Sequence, residues 1–532
     1  MAINVYPFHG GLKGTIDLPA SKSISNRLLI IKALCQHQIT ITNLSESKDT
    51  KIIRQALDEH PSVIDVGQAG AAMRFLTAYY ANKPGEWTIT GTERMKARPV
   101  RILVDALRQL DADIDYLENE GYPPLAIKGK KLTYNFTSLD GSVSSQYITA
   151  LLLIAPALPN GLTIELKNKI ASRPYIDLTL RMMNYFGIEY HWQKNQITIK
   201  NQEYSAGSFM VEADWSGASY WYEMAALTPQ VDLHIKGLQE NSLQGDAEIV
   251  NLFRQFGVQS EFTNEGVHLT KGQMQPGERI YPDKGMQSNK NMYPDFFAYD
   301  FANNPDLVQT FVPLCVALKI PFKISGTESL KIKETDRIKA LQKECAKFGA
   351  NILETGEGMI EWDGRLQQFS GQPTEQTGHK SSKLSTGQAS EQTGHKSSKP
   401  SADLTRKQTG HKSSKPSADL TRKQTGHETS AEQASEQTSH KPSAEQASEQ
   451  TGHKPSKPSS GQAPSHTHKD IQEKPVRIET YDDHRMAMAF APLSILYKGL
   501  IVEAPEVVEK SYPGYWEDLR KVGFEIDETN PG

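Results

Sequence analysis

The chain has 532 residues, with 59 Lys and Arg against 63 Asp and Glu and 37% hydrophobic residues. A formal charge of −4 excludes the broad basic surface that nucleic-acid binding requires. The longest apolar run, residues 148–158, is too short to cross a bilayer, so a soluble, cytoplasmic protein with no membrane partner is expected.

In chain order, the first informative segment is residues 19–27, Pro-Ala-Ser-Lys-Ser-Ile-Ser-Asn-Arg, running into four apolar residues. A turn of small residues carrying Lys22 opens a helix, and Arg27 follows about one turn later. Backbone N–H groups, the positive end of the helix dipole and two cations then meet at one spot. That is a seat for a doubly anionic ligand, although a Ser-capped helix with two solvated charges has the same sequence. Recurrence of the device favours the seat.

Short alternating strands are predicted over residues 38–43, 86–91, 162–166, 231–237, 322–326 and 500–504. Apolar helices precede them, starting near Ser23, Gly70, Ser144, Ser216, Pro305 and Asp483. Amphipathic helices follow them over 52–57, 101–110, 176–186, 247–256, 336–348 and 515–522. Six such units imply an α/β architecture of two pseudo-symmetric domains with three units each. Polar residues cluster at two steps of the unit. At the apolar-helix start stand Lys22, Arg27, Gln68, Gly70, Arg74, Ser144, Ser145, Gln146, Asp306, Asp483 and Arg485. At the turn into the second helix stand Asp49, Arg98, Ser172, Lys333, Glu334, Arg337 and Lys510. Pseudo-symmetry should turn all of them towards one positive cleft in an otherwise acidic protein.

Residues 371–470 break the rhythm. They contain no Val, Ile, Met, Phe, Trp, Tyr or Cys and only three Leu, so they cannot bury a core. Residues 392–407 and 408–423 are identical copies. The segment carries 14 Lys and Arg against 10 Asp and Glu, leaving the other 432 residues at −8. It reads as a disordered insert, entered after a strand pair over 351–362 and left just before a strand at 476–480. Eight of the fifteen histidines lie in it, singly, which preforms no metal site. Elsewhere no compact His/Cys/Asp ligand set is visible, and Cys35, Cys315 and Cys345 suggest no disulfide framework. No metal or cofactor is expected.

Together, residues 21–27, 67–74, 95–99, 333–337 and 481–488, with 141–146 and 172–177, resemble the 5-enolpyruvylshikimate-3-phosphate synthase family from end to end, outside the insert. The resemblance implies the enolpyruvyl transferase fold, two domains of three βαβαββ units whose hinge closes on the substrates. It implies a first domain formed by residues 1–18 with 215–532, and a second domain formed by 19–214, in a monomer. It also implies transfer of the enolpyruvyl group of phosphoenolpyruvate to the 5-hydroxyl of shikimate 3-phosphate, with release of phosphate, in aromatic amino-acid biosynthesis. Residues carried over as shikimate-phosphate contacts are Lys22, Ser23, Arg27, Ser144, Ser145, Gln146, Ser172, Tyr175, Asp306 and Lys333. Those carried over as phosphoenolpyruvate contacts are Lys22, Gly70, Arg98, Gln146, Arg337, Arg485 and Lys510. Lys22, Asp306 and Glu334 are the implied catalytic residues, with Glu334 near the methylene carbon and Asp306 near the attacking hydroxyl.

The chain departs from the family pattern in three places. Gln68, Ala71 and Phe75 stand where Asn, Thr and Pro are usual; Ser329 replaces an Asn; and the short stretch between Asp49 and Gln68 predicts a trimmed second unit. Two other readings stay open. The sister enzyme acting on UDP-N-acetylglucosamine shares fold and donor but typically has Lys-Asn in place of Lys22-Ser23, and a catalytic Cys on a mobile loop. Here Cys35 lies within the first apolar helix, Cys315 in an apolar helix and Cys345 in an amphipathic one, so none fits that loop. The other reading is an inactive scaffold that uses the repeats as an interaction arm.

Overall fold

Each short strand predicted from alternation pairs at the middle of its own sheet or, in one case, forms half of it. Gly85–Thr90 shows the pattern. It runs parallel to Val63–Asp65, reached through helix Gly70–Ala81, and antiparallel to Leu125–Gly129, which pairs in turn with Asp113–Tyr116. Leu162–Lys167, Val231–Lys236 and Phe322–Ser325 occupy the same place in three further four-stranded sheets. A parallel pair needs a crossover and an antiparallel pair needs only a turn, so helix and hairpin alternate along the chain as the pairing demands. In the computed structural model, residues 1–272, 293–367 and 475–529 are described. The repeat segment, and with it the expectation of a disordered insert, lies outside them.

Two sheets depart from the pattern. In the last, Leu500–Glu503 pairs antiparallel with the N-terminal strand Ala2–Val5, which also pairs with Ile526–Thr529. The chain's start thus fills a slot left by its end. The other departure corrects an expectation. The shortened unit is the first, not the second: Ile39–Thr42 has only Gly207–Met210 beside it in a two-stranded sheet. Helix Lys48–Glu59 is followed almost at once by Val63–Asp65, which leaves no chain for a hairpin.

The apolar helices are buried on all sides, as Gly70–Ala81 and Ser145–Ile154 show, whereas Arg101–Arg108 buries one stripe of Leu103, Val104, Ala106 and Leu107. The buried side chains form two separate cores. One takes residues from Ile3 to Leu18 and from Ala213 to Ile526, and the other from Ala20 to Val211.

Two smaller expectations also change. Helix Lys22–Leu34 ends before Cys35, which caps it rather than lying within it. A compact ligand set does exist outside the repeats. Asp232 and His234 share a strand face, and His268 lies directly opposite His234 on the neighbouring strand. Sheet pairing, invisible as sequence spacing, brings these three together.

Candidate active site

The first helices of the six units begin at Lys22, Gly70, Ser145, Trp215, Val308 and His484. Residues at or just before all six starts line one open cleft. Ser144, Asp214 and Asp483 cap their helices with side-chain oxygens. Ala69 has no side chain to cap Gly70–Ala81, whose first residues line the cleft. An uncapped helix start with its dipole aimed inward favours an anion.

The wall supplied by the larger core is a compensated charge network centred on buried Arg337. Its Nε donates to Asp483 Oδ2 at 2.7 Å, Nη1 to Asp306 Oδ1 at 2.8 Å and Nη2 to Glu334 Oε2 at 2.9 Å. Asp306 also accepts from Arg485 Nη2 at 3.0 Å and lies 3.6 Å from Lys333 Nζ. Lys510 Nζ lies 3.6 Å from Glu334 Oε1. Burial alone would raise the two carboxyls, but Arg485, Lys333 and Arg337 hold Asp306 well below the usual range. Lys510, Arg337, Arg98 and His484 do the same for Glu334. Both are carboxylates at neutral pH. Burial, with Lys22, Arg485 and Lys510 nearby, keeps the His484 imidazole neutral, and its Nδ1 makes no hydrogen bond.

The opposite wall is built differently. Arg27 donates to Thr179 Oγ1 at 2.8 Å, to the Ser23 carbonyl at 2.7 Å and to the Tyr175 carbonyl at 3.3 Å. Arg98 reaches the Gln68 carbonyl at 3.3 Å, Arg74 reaches the Gly70 carbonyl at 2.9 Å, and the Nε of each lacks a partner. Among the described residues none of these three guanidiniums pairs with a carboxylate. Burial pulls Arg27 down to about 10, and burial with Arg74 nearby does the same to Arg98. Glycine at position 70 follows from this crowding. A Cβ there would meet Arg74 Nη1 at 2.8 Å and Arg98 Nη2 at 2.9 Å. Lys22 alone has an acidic neighbour, Asp49, at 3.5 Å.

Ser23, Ser144, Ser145, Gln146, Ser172 and Tyr175 all line the cleft with these charges. Ser172 takes a left-handed backbone at the start of helix Arg173–Tyr185, and its N–H donates to the Ala302 carbonyl across the cleft at 2.8 Å. Lys510, Gln68 and Asp483 were expected to face the cleft but are not on its lining; the Lys510 ammonium nevertheless reaches both Glu334 and the Gln68 amide oxygen, the latter at 3.4 Å. The longer Gln68 side chain thus bridges to the opposite wall.

Sequence reasoning passed over two residues and the role of a third. Asp246 accepts from the Tyr175 hydroxyl at 3.2 Å and from Ser216, and burial with Asp306 nearby raises its carboxyl to about 6. No motif marks it. Arg94 donates to the carbonyls of Glu334 at 2.7 Å and Lys333 at 2.9 Å, clamping the two walls. It stands one residue before the 95–99 segment, which was the available signal. Asp483, part of a quoted motif, is the main carboxylate partner of Arg337 rather than only a helix cap.

The family model for EPSP synthase (3-phosphoshikimate 1-carboxyvinyltransferase) matches residues 9–59, 53–379 and 457–519. A 3-phosphoshikimate 1-carboxyvinyltransferase of Bacteroides fragilis is 40% identical over 517 residues, covering 97% of this chain and 96% of the relative. The chain belongs to the EPSP synthase family. A family member from Vibrio cholerae is 33% identical over 378 residues, covering 66% of this chain and 84% of its own. Among solved structures, EPSP synthase from Acinetobacter baumannii shares the fold, with a TM-score of 0.61 at 17% identity, covering 99% of this chain and all of its own. The enolpyruvyl transferase NikO from Streptomyces tendae gives 0.59 at 10% identity, covering 100% and 99%. No cysteine lines the cleft of this EPSP synthase family member: Cys315 and Cys345 are fully buried, and Cys35 donates to the Tyr204 carbonyl. The sister-enzyme reading, which needs a mobile catalytic Cys, loses its residue.

Proposed function

We propose that this chain transfers the enolpyruvyl group of phosphoenolpyruvate to the 5-hydroxyl of shikimate 3-phosphate, with the residues carried over above as its contacts. The observation that carries the reading is the facing of two walls in one cleft. Two ionised carboxylates held by Arg337 stand opposite Arg27, Arg74 and Arg98, none of which forms an ion pair with a carboxylate among the described residues, although Arg98 feels the field of Glu334. Buried cations without counter-ions call for an anionic ligand, and both substrates are multiply anionic.

The chemistry follows from these groups. In the addition step the 5-hydroxyl oxygen bonds to the central carbon of the enol while its methylene carbon takes a proton and becomes methyl. Asp306 holds the hydroxyl and accepts its proton; Glu334 delivers the other. Elimination then breaks the bond to the phosphate oxygen, phosphate leaves carrying the proton that Asp306 had taken, and the methyl returns its proton to Glu334, so both carboxylates are regenerated. Glu334 is ionised because Lys510, Arg337 and Arg98 surround it. An anionic substrate seated among those cations cancels part of their field and raises Glu334 towards the range in which it carries a proton. Lys22, Arg98, Arg485 and Lys510 hold the donor's carboxylate and phosphate, with Gly70 giving them room. Ser23, Arg27, Ser144, Ser145, Ser172, Tyr175 and Lys333 hold the acceptor, and Gln146 touches both.

The proposed domain division at residues 18/19 and 214/215 draws support from the separate cores, which change over between Leu18 and Ala20 and between Val211 and Ala213, and we read the enzyme as monomeric and cytoplasmic. Among the described residues no helix is long and apolar enough to cross a membrane. Phosphate release tests the proposal. It should require shikimate 3-phosphate and phosphoenolpyruvate together. Release with UDP-N-acetylglucosamine as acceptor instead, or with neither, would overturn it.

A further inference from the structure

Off the cleft lining, the solvent face of one four-stranded sheet carries a cluster that the enolpyruvyl transfer leaves unused. Val231–Lys236 places Asp232 and His234 two residues apart, hence on the same face, and Gly266–Lys271 places His268 directly opposite His234. The two imidazoles stack with centroids 4.1 Å apart and planes within 2°. His268 Nε2 lies 2.8 Å from Asp232 Oδ1, and one ligand atom from each of the three residues falls within 4.8 Å of the others. None of the three lines the cleft.

We propose that Asp232, His234 and His268 form a surface site for a divalent late transition cation of the Zn²⁺ class. Two imidazoles and one carboxylate suit Zn²⁺ or its neighbours and are a poor set for Mg²⁺ or Ca²⁺, which want oxygen ligands. Zn–N and Zn–O bonds of about 2.0–2.2 Å put tetrahedral ligand atoms about 3.3 Å apart. The present separations approach that with side-chain rotation alone. Exposure of Asp232 and His234 and partial exposure of His268 leave room for that rotation, which exchanges the His268–Asp232 hydrogen bond and the ring stack for bonds to the metal. The ladder between the two strands fixes the ligand backbones, so the site is preformed as single histidines in a repeat are not. Water fills the remaining position. A cation there cross-links two strands of the folded sheet and has no equivalent in the unfolded chain, so it stabilises the fold.

Thermal unfolding of the full chain with and without ZnCl₂ tests this. Saturating Zn²⁺ should raise the wild-type Tm by about 2 °C or more, and Mg²⁺ should not. The rise should vanish in the His234→Gln/His268→Gln double variant, or in His268→Gln alone if the double variant does not fold. It should persist when residues 371–470, with their eight histidines, are replaced by a short Gly/Ser loop. Turnover measured without added metal should be the same in wild type and in both variants. No rise in the wild type, an equal rise in the histidine variants, or a rise lost with the repeats would each overturn the proposal.

Discussion

The two walls of the cleft carry similar cations but solve the problem of burying them in opposite ways. Around Arg337, every buried positive charge has a carboxylate within reach, and the network is complete before any ligand arrives. Around Gly70, the guanidiniums of Arg27, Arg74 and Arg98 rest on carbonyls, hydroxyls and aromatic faces, at 5.7 Å from Phe75 for Arg27 and 5.6 Å from Tyr147 for Arg74. A compensated network fixes geometry and protonation state, which suits groups that move protons. An uncompensated one stores an unmet demand for negative charge, which suits groups that bind. The lesson is that the identity of a cleft residue says less about its role than whether its charge is already answered.

The sharpest way to break this comparison is to remove one cation from each wall. Arg337→Met leaves buried Asp483 without its guanidinium and removes one cation each from Asp306 and Glu334, which keep Arg485, Lys333 and Lys510, and leaving a buried charge unpaired costs about 3–5 kcal/mol. Chemical denaturation should show that loss, with turnover abolished. Within the same wall, Glu334→Gln keeps size and hydrogen bonding but cannot exchange a proton. Turnover should fall by about two orders of magnitude or more while the fold stays intact. Near-normal turnover in Glu334→Gln would remove proton transfer from the compensated wall.

On the other wall the same kind of substitution should do the reverse to stability. Arg98→Met deletes a cation that burial and Arg74 already disfavour, so Tm should hold or rise. The Michaelis constant for phosphoenolpyruvate should nevertheless climb about 10- to 100-fold, the value of one charge-assisted contact of about 1.5–3 kcal/mol. A loss of stability comparable to that of Arg337→Met would show that the two walls do not differ as described.

A smaller effect tests the border between the walls, where Asp246 meets Tyr175. Its folded carboxyl sits at about 6, above the ordinary 3.8, chiefly through burial. The native state therefore holds this proton to higher pH than the unfolded chain does. Stability falls as pH rises from about 4 to about 6 and stays lower above that. Asp246→Asn should match wild type below about pH 4 and be more stable by about 1 kcal/mol or more above pH 6. A gap that is independent of pH would mean the carboxyl does not titrate there.

Much of this was legible in the sequence because helix starts and strand alternation are local properties. Lys22, Gly70, Ser144, Asp306 and Arg485 stand at helix starts, and a start fixes which way its first residues point. What was hidden depends on pairing between distant segments. Nothing in Ala2–Val5 announces that it completes a sheet with Leu500–Glu503, and nothing in Asp232 or His268 announces the other. The trimmed unit was visible as a short stretch, yet its place in the count required knowing that Gly207–Met210 pairs with Ile39–Thr42. Compensation of charge was equally hidden. Arg98 and Arg337 look alike in a motif, and only the fold puts three carboxylates around one of them.

The smallest expected effect comes from the repeat segment, and it sharpens the comparison by asking whether two walls suffice for catalysis. Helix Arg337–Ala346 has its start in the cleft and, at 1.5 Å per residue, its end about 15 Å away. The described chain stops just beyond that far end. Gln367 N–H donates to the Gly349 carbonyl at 2.8 Å, and Lys347 Nζ donates to the Arg477 carbonyl at 2.9 Å. Both exits therefore sit together at the helix end remote from the substrates, and no residue from 349 to 367 or from 475 to 483 lines the cleft. A short Gly/Ser loop can join neighbouring ends without strain. Each halving of a flexible loop is worth only about 0.6 kcal/mol, so a tenfold shortening should stabilise the fold by about 2 kcal/mol at most. Replacing residues 371–470 should leave turnover and both Michaelis constants within about twofold of wild type, since both described ends of the segment lie away from the cleft lining. A well-folded replacement that lost most of its activity would mean that something beyond the two walls takes part in the reaction.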